Sequence, residues 1–264
     1  MKNQIVRGVV AGMVAFSVAF PAFAVTTSTP LRGVKGDLIE KFKQERTMLR
    51  DEVKNFVASS TAAAREQLRA KREELQKLMV TQREEFKKAV EAKREEVKQA
   101  IEVKRAELKD RVKILKDVRR EQLVAKIYDD ANALNKRLTD HFLALLDKID
   151  AMLGKVESRA DKAATNGREV GAVRSAVANA ENAIAAARTA VGAQAGKVYM
   201  IAVNTSSSLK QDVQAVRNAL HADFVTVRDA VKGARDAVQE AARVLAQVPR
   251  VDEETVATST SKQE

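Results

Sequence analysis

Only two side chains in this sequence could serve as imidazole ligands or bases, His141 and His221, and there is no cysteine at all. His141 follows Asp140 and has Asp147 two helical turns away, so one helix could present an imidazole and two carboxylates to a metal ion. His221 has Asp223 beside it. A histidine at a seam-adjacent position is far more often a bundle-surface or partly buried residue, and His221 stands no better. The chain has no G-x-S-x-G, no glycine-rich phosphate loop and no H-E-x-x-H. Ser206, Ser207 and Ser208 have a sufficient role in capping a helix. Asn204-Thr205-Ser206 matches a glycosylation acceptor, a triplet frequent by chance. We therefore expect no enzyme, no cofactor and no metal. The function should lie in the helices.

Those helices are written in an unusual composition. Hydrophobic residues make up 45% of the 264, but aromatics only 4%, and tryptophan is absent. Three prolines are present, Pro21, Pro30 and Pro249, and no glycine lies between Asp37 and Leu153. Without these breakers very long helices are allowed. An abundance of Ala, Glu, Lys and Arg points the same way.

The segment 70–110, AKREELQKLMVTQREEFKKAVEAKREEVKQAIEVKRAELKD, repeats every eleven residues. Arg72, Arg83, Arg94 and Arg105 keep that step. So do Leu75, Phe86, Val97 and Leu108, and so do Leu68, Met79, Val90, Ile101 and Val112. Eleven residues in three turns give 3.67 per turn, which predicts a gentle right-handed supercoil along this apolar seam. Leu78, Ala89 and Ala100 lie beside it, but Gln82, Lys93 and Lys104 limit its width. We expect one partner helix and an exposed narrow stripe. Pairs such as Glu73–Lys77 and Glu84–Lys88 add about 0.2–0.5 kcal/mol each to helix stability.

After Leu123 the pattern changes. Leu134, Leu138, Leu145, Ile149, Met152 and Val156 step by three, four or seven, and Phe142, Leu143, Leu146 and Leu153 widen the face. TNGREV at 165–170 reads as a turn, with Asn166 and Glu169 as a capping box. Val170 to Ile201 continues a 3–4 spacing, weakened late by Gly192 and Gly196. NTSSS at 204–208 is the next break, with Ser208 and Gln211 as a second capping box. Leu209 to Val248 follows, and Pro249 ends it. The expected fold is all-α: a long coiled-coil-like helix of eleven-residue repeats leading into an antiparallel three-helix bundle, with helices near 122–164, 167–203 and 208–248.

The first 24 residues are of another kind. Lys2 and Arg7 precede an apolar run from Gly8 to Phe20, and Ala22-Phe23-Ala24 is a small-residue cleavage site. We read 1–24 as a signal peptide cleaved after Ala24, with retention as an anchor the alternative. Residues 25–36 read as a flexible linker, 37–120 as a basic helical stalk, 121–248 as the bundle and 249–264 as a disordered tail. The stalk is expected to be continuous or merely kinked across Ser59-Ser60-Thr61, although a hairpin could form there. If unbroken from Asp37 to Ala164 it would extend about 190 Å.

Formal net charge is +11. Residues 31–126 hold 27 Lys and Arg against 18 Asp and Glu, while 127–264 hold 18 of each. Export argues against nucleic acid as the partner of this charge, and leaves anionic envelope polymers or a membrane surface.

The stretch NKRLTDHFLALLDKIDAMLGKVESRADKAATNG, 135–167, with the alanine-rich helix after it, resembles uncharacterised secreted helical proteins of small-genome candidate-phyla bacteria. The likeness covers about residues 120–248 and rests on leucine spacing, on Glu157-Ser158-Arg159-Ala160 and on Asn166-Gly167. It implies an exported helical fold and no particular activity.

Two roles follow as expectations. The first is an exported structural or interaction protein, its stalk a spacer or self-association seam and its bundle a docking module. The second is an extracytoplasmic holdase-like chaperone, or a binder of an anionic polymer or membrane surface.

Overall fold

The absence of breakers between Asp37 and Leu153 does not give one rod. The computed structural model describes residues 62–249 together with 44–45, 47–48 and 51–52. The expected signal peptide, the linker and nearly all of the expected tail lie outside the described residues, as does the side chain of Leu68. The described residues are all helix and connecting segments, with no strand among them. We number the helices α1 (Ala62–Val112), α2 (Val118–Thr165), α3 (Gly171–Ala195) and α4 (Leu209–Ala246). No described helix is long and apolar enough to cross a membrane.

The expected continuous helix is broken at Lys113–Asp117. Lys113–Leu115 tighten into a 3₁₀ turn, and Lys116 takes a left-handed conformation with φ 49°. Asp117 is extended, and its Oδ1 accepts from the backbone N–H groups of Arg119 and Arg120 at 3.0 and 3.3 Å. That is a side-chain cap satisfying two of the free donors of a new helix. A non-glycine residue in the left-handed region costs about 1 kcal/mol or more. Packing of α1 against the rest of the chain must offset it.

α1 does double back. Its residues meet α2 in descending order: Arg72 faces Asp161, Arg83 faces Asp150, Arg94 faces Asp140 and Arg105 faces Asp129. The two helices are therefore antiparallel. Lys71 Nζ lies 2.8 Å from Glu52. Nineteen residues of one straight helix would separate these side chains by about 28 Å. Glu52 and α1 thus do not lie on one straight helix; Ser59-Ser60-Thr61, where a continuous or kinked helix is expected, lie outside the described residues.

One buried cluster takes residues from α2, α3 and α4. Leu146, Leu153 and Ala163 meet Val173, Ile184 and Val191, and both sets meet Val227, Val238 and Leu245. A second cluster lies at the α1–α2 reversal, where Leu108, Val112 and Leu115 pack with Val124, Tyr128, Ile201, Val216 and Leu220. Small alanines at Ala160, Ala180, Ala187, Ala234 and Ala241 are among the most deeply buried, so the backbones approach closely.

The turn at TNG is present, but its chemistry differs from the expected capping box. Arg168 N–H donates to Ala163 O at 2.9 Å and Gly167 N–H to Ala164 O at 3.0 Å, with Gly167 at φ 73°. These two bonds close α2 as a Schellman motif, and Asn166 is its C-cap, not an N-cap. Glu169 Oε1 instead accepts from Gly171 N–H at 2.7 Å. The second expected capping box also differs. Ser208 precedes α4, but its hydroxyl bonds Thr205 O and Asp212 rather than an α4 backbone N–H.

α3 ends at Ala195, capped by Gly196, eight residues short of the expected Val203. Residues 197–205 are outside any helix. Tyr199, Ile201 and Val203 are buried, while Met200 is half-buried and Ala202 exposed. That is the two-residue alternation of an extended chain. β-branched and aromatic residues, KVYMIAV, favour that conformation once Gly196 has ended the helix.

Candidate functional site

The eleven-residue step of the arginines acquires a physical purpose in this arrangement. Asp129, Asp140, Asp150 and Asp161 step by eleven, ten and eleven along α2, and each receives one arginine of α1. Arg105 Nη2 donates to Asp129 Oδ1 at 2.6 Å, and Arg83 Nε to Asp150 Oδ2 at 2.8 Å. Arg94 pairs with Asp140 and also donates to Thr139 Oγ1 at 3.3 Å. Arg72 Nε stands 3.7 Å from Asp161, and its Nη2 donates to Thr165 Oγ1 at 3.3 Å. The result is a ladder of charge-assisted contacts along one edge of the α1–α2 interface.

Its most buried rung joins three helices. Asp150 is only 3% exposed and accepts from Arg83 of α1 and, at 3.3 Å, from Arg188 Nη2 of α3. Arg188 also donates to Asp147 at 3.4 Å, and its guanidinium lies 5.3 Å from the centre of the Phe86 ring. Lys87 Nζ adds a contact to Asp147 at 3.3 Å. That bond holds the Lys87 ammonium above the ordinary lysine range. Two carboxylates thus share three cations, and a planar guanidinium stacks over the only aromatic ring of the α1 seam.

The seam itself is turned inward. Leu75, Met79, Phe86, Val90, Leu108 and Val112 are buried against the chain's own helices. Phe86 and Val90 pack with Ala195 and Leu143, while Leu108 and Val112 join the cluster at the reversal. Val97 and Ile101, between these groups, are only half-buried. The expected exposed stripe is therefore corrected: a single α1 face is covered by α2 and α3.

A second polar site lies where the extended segment crosses α2. Asn132 brackets the backbone of one residue: its Nδ2 donates to Tyr199 O at 3.1 Å, and its Oδ1 accepts from Tyr199 N–H at 2.9 Å. Asn135 Nδ2 donates to Gln194 O and Lys197 O, and its Oδ1 accepts from Gln194 Nε2 at 2.9 Å. Gln194 Nε2 also donates to Tyr199 Oη, whose hydroxyl donates to Asp223 at 2.6 Å. Lys197 Nζ lies 2.6 Å from the same carboxylate. These side chains replace the helix bonds lost after Ala195. Burial, with the Asp223 bond added to it, pushes the Tyr199 hydroxyl far above the usual phenol range. Tyr128, whose hydroxyl donates to Ile101 O of α1 at 2.8 Å, is pushed up by burial to about 12.

The histidines fare differently. His141 and His221 are exposed. Asp140 and Asp147 beside His141 are engaged by Arg94, Lys87 and Arg188, and Asp223 by Tyr199 and Lys197. Among the described residues no group of three or more His, Asp or Glu is arranged for a metal.

The aspartate partners of the ladder escaped sequence reasoning. The arginine step was visible, and the near-matching aspartate step was the signal that would have paired it. Searches against protein-family models, curated proteins and solved structures find no match for this chain.

Proposed function

We propose that this chain is an exported structural or interaction protein whose first helix is a detachable spacer and whose remaining helices form a docking module. On this reading α2, α3 and α4 make an antiparallel three-helix bundle, and α1 carries its eleven-residue repeat along it. The observation that supports it is the arginine–aspartate ladder. Along the α1–α2 interface the charged side chains join one helix to its neighbours. An antiparallel ladder can close equally well between α1 of one copy and α2 of another. Self-association by exchange of α1 at Lys113–Asp117 then keeps the ladder contacts, gives up those of the hinge itself, and releases the left-handed Lys116 into a straight helix. The expected signal peptide supports export, for which the test is an N-terminus at Val25 in an envelope fraction.

The exchange is tested with two differently tagged copies of the chain, mixed at high concentration and separated by one tag. Co-purification of the second tag, with a dimer by light scattering and a scattering profile longer than the monomer's, is the expected result. Monomers at every concentration, with no co-purification, would overturn it.

A further inference from the structure

The reversal between α1 and α2 has a surface chemistry of its own. Of the twelve residues 109–120, six are basic and two, Asp110 and Asp117, are acidic. All six basic residues are exposed. Lys113 Nζ lies 2.8 Å from Asp110 and Arg120 Nε 3.3 Å from Asp117. Lys109, Arg111, Lys116 and Arg119 have no carboxylate within ion-pair distance among the described residues. This end of the molecule therefore carries positive charge that the ladder does not absorb.

Apolar side chains accompany it. Ile114, Val118 and Leu123 are 58%, 67% and 54% exposed. They account for three of the seven large apolar side chains exposed among the described residues, within one stretch of ten. Their neighbours Leu115 and Val124 are buried. The reversal thus sorts its apolar residues, sending some into the cluster beneath and leaving others in water. A polyanion in solution would account for the lysines and arginines but not for Ile114 and Val118. A protein interface tends to be depleted in lysine. Cationic side chains interleaved with exposed aliphatic ones match the lipid–water boundary. There, aliphatic groups enter the acyl region and ammonium and guanidinium groups stay with the phosphates.

We propose that the α1–α2 reversal docks the protein on an anionic phospholipid surface, with Ile114 and Val118 entering the bilayer interface. The inference needs only the bent form of the chain and does not depend on self-association.

The absence of cysteine makes the test specific. Ile114→Cys and, as a control elsewhere, Met152→Cys are each labelled with an environment-sensitive dye in the full chain. Vesicles of phosphatidylglycerol and phosphatidylcholine should shift the emission at position 114 to the blue. Phosphatidylcholine alone should not, and position 152 should not respond. Combining Lys113→Gln, Lys116→Gln and Arg119→Gln should weaken the partition by roughly 100-fold, at about fivefold per charge near the surface. If that variant loses its helical circular dichroism, a salt series on the parent replaces it, and the response at 114 should fall steeply from 0.05 to 0.5 M NaCl. No shift at 114 while vesicles bind, an equal shift at 152, or a response to dextran sulfate but not to vesicles would each overturn the proposal.

Discussion

α4 and α1 are attached to the same pair of helices in opposite ways. Every buried residue of α4 is apolar, and from Val227 to Leu245 they step 4, 3, 4, 3, 4. α1 buries apolar residues at two separated places and leaves Val97 and Ile101 half-covered between them. Its attachment is completed by arginines. Burial of aliphatic surface contributes about 25 cal/mol per Å² and is nearly indifferent to salt or moderate pH. Charged contacts are screened by salt, and removal of one partner of a buried pair strands the other. The α4 seam is built to persist. The α1 seam is built to be specific in register and to respond to conditions.

The largest effect that separates them should come from the shared cluster. Leu153→Ala, at a fully buried position of α2, should cost about 3–4 kcal/mol. Chemical denaturation should record it as loss of all four helices together. Asp150→Ala should cost about 3 kcal/mol, because Arg83 then loses its carboxylate partner and Arg188 keeps only the longer contact to Asp147. Hydrogen exchange distinguishes the two: Asp150→Ala should free the amides of α1 while those of α4 stay protected. Equal loss of protection in α1 and α4 would break the comparison.

Alkaline pH comes next. The folded pKa of Tyr128, raised above its ordinary 10 to about 12, favours the protonated form in the folded chain. Its contribution is fully present below pH 10 and is lost as pH climbs from about 10 to about 12. The chain has two tyrosines, Tyr128 and Tyr199. Phenolate absorbance should therefore lag well behind that of the unfolded protein, and Tyr128→Phe should remove the tie to Ile101 O.

Raising NaCl from 0.1 to 1 M should accelerate exchange in α1 by roughly tenfold and leave α4 unchanged, since the Arg94–Asp140 and Arg105–Asp129 rungs are partly solvent-accessible. The smallest effect belongs to the hinge. Lys116→Gly should stabilise the bent chain by about 0.5–1 kcal/mol, because glycine accepts φ 49° without strain. A thermal melt detects it.

The same contrast explains what could be read from sequence. α4 was legible almost to its ends: expected near 208–248, found at Leu209–Ala246, because seam, breaks and proline agree. The end of α2 was legible too, since Asn-Gly has few alternatives. The hinge was not. Val-Lys-Ile-Leu-Lys-Asp-Val contains neither glycine nor proline, and only Asp117 marks a helix start. Pairing between residues 24 to 89 positions apart decides that bend, and local propensity carries no record of it. The end of α3 was misplaced because Val198 and Ile201 fit a helical step as well as an extended one. Asn132 and Asn135, some sixty residues earlier, decide between the two. The ladder was half legible: its basic rail was visible as a repeat, and its acidic rail lay beyond the change of period.

Lys113–Asp117 is also the corner that places Ile114 beside Lys116 on one exposed tip. A molecule that straightens there to lend its first helix to a neighbour no longer has that corner to offer a bilayer. The two proposals, adsorption and exchange, would draw on one population of bent chains, so anionic vesicles should slow the mixing of tagged copies, and a fully mixed preparation should adsorb poorly.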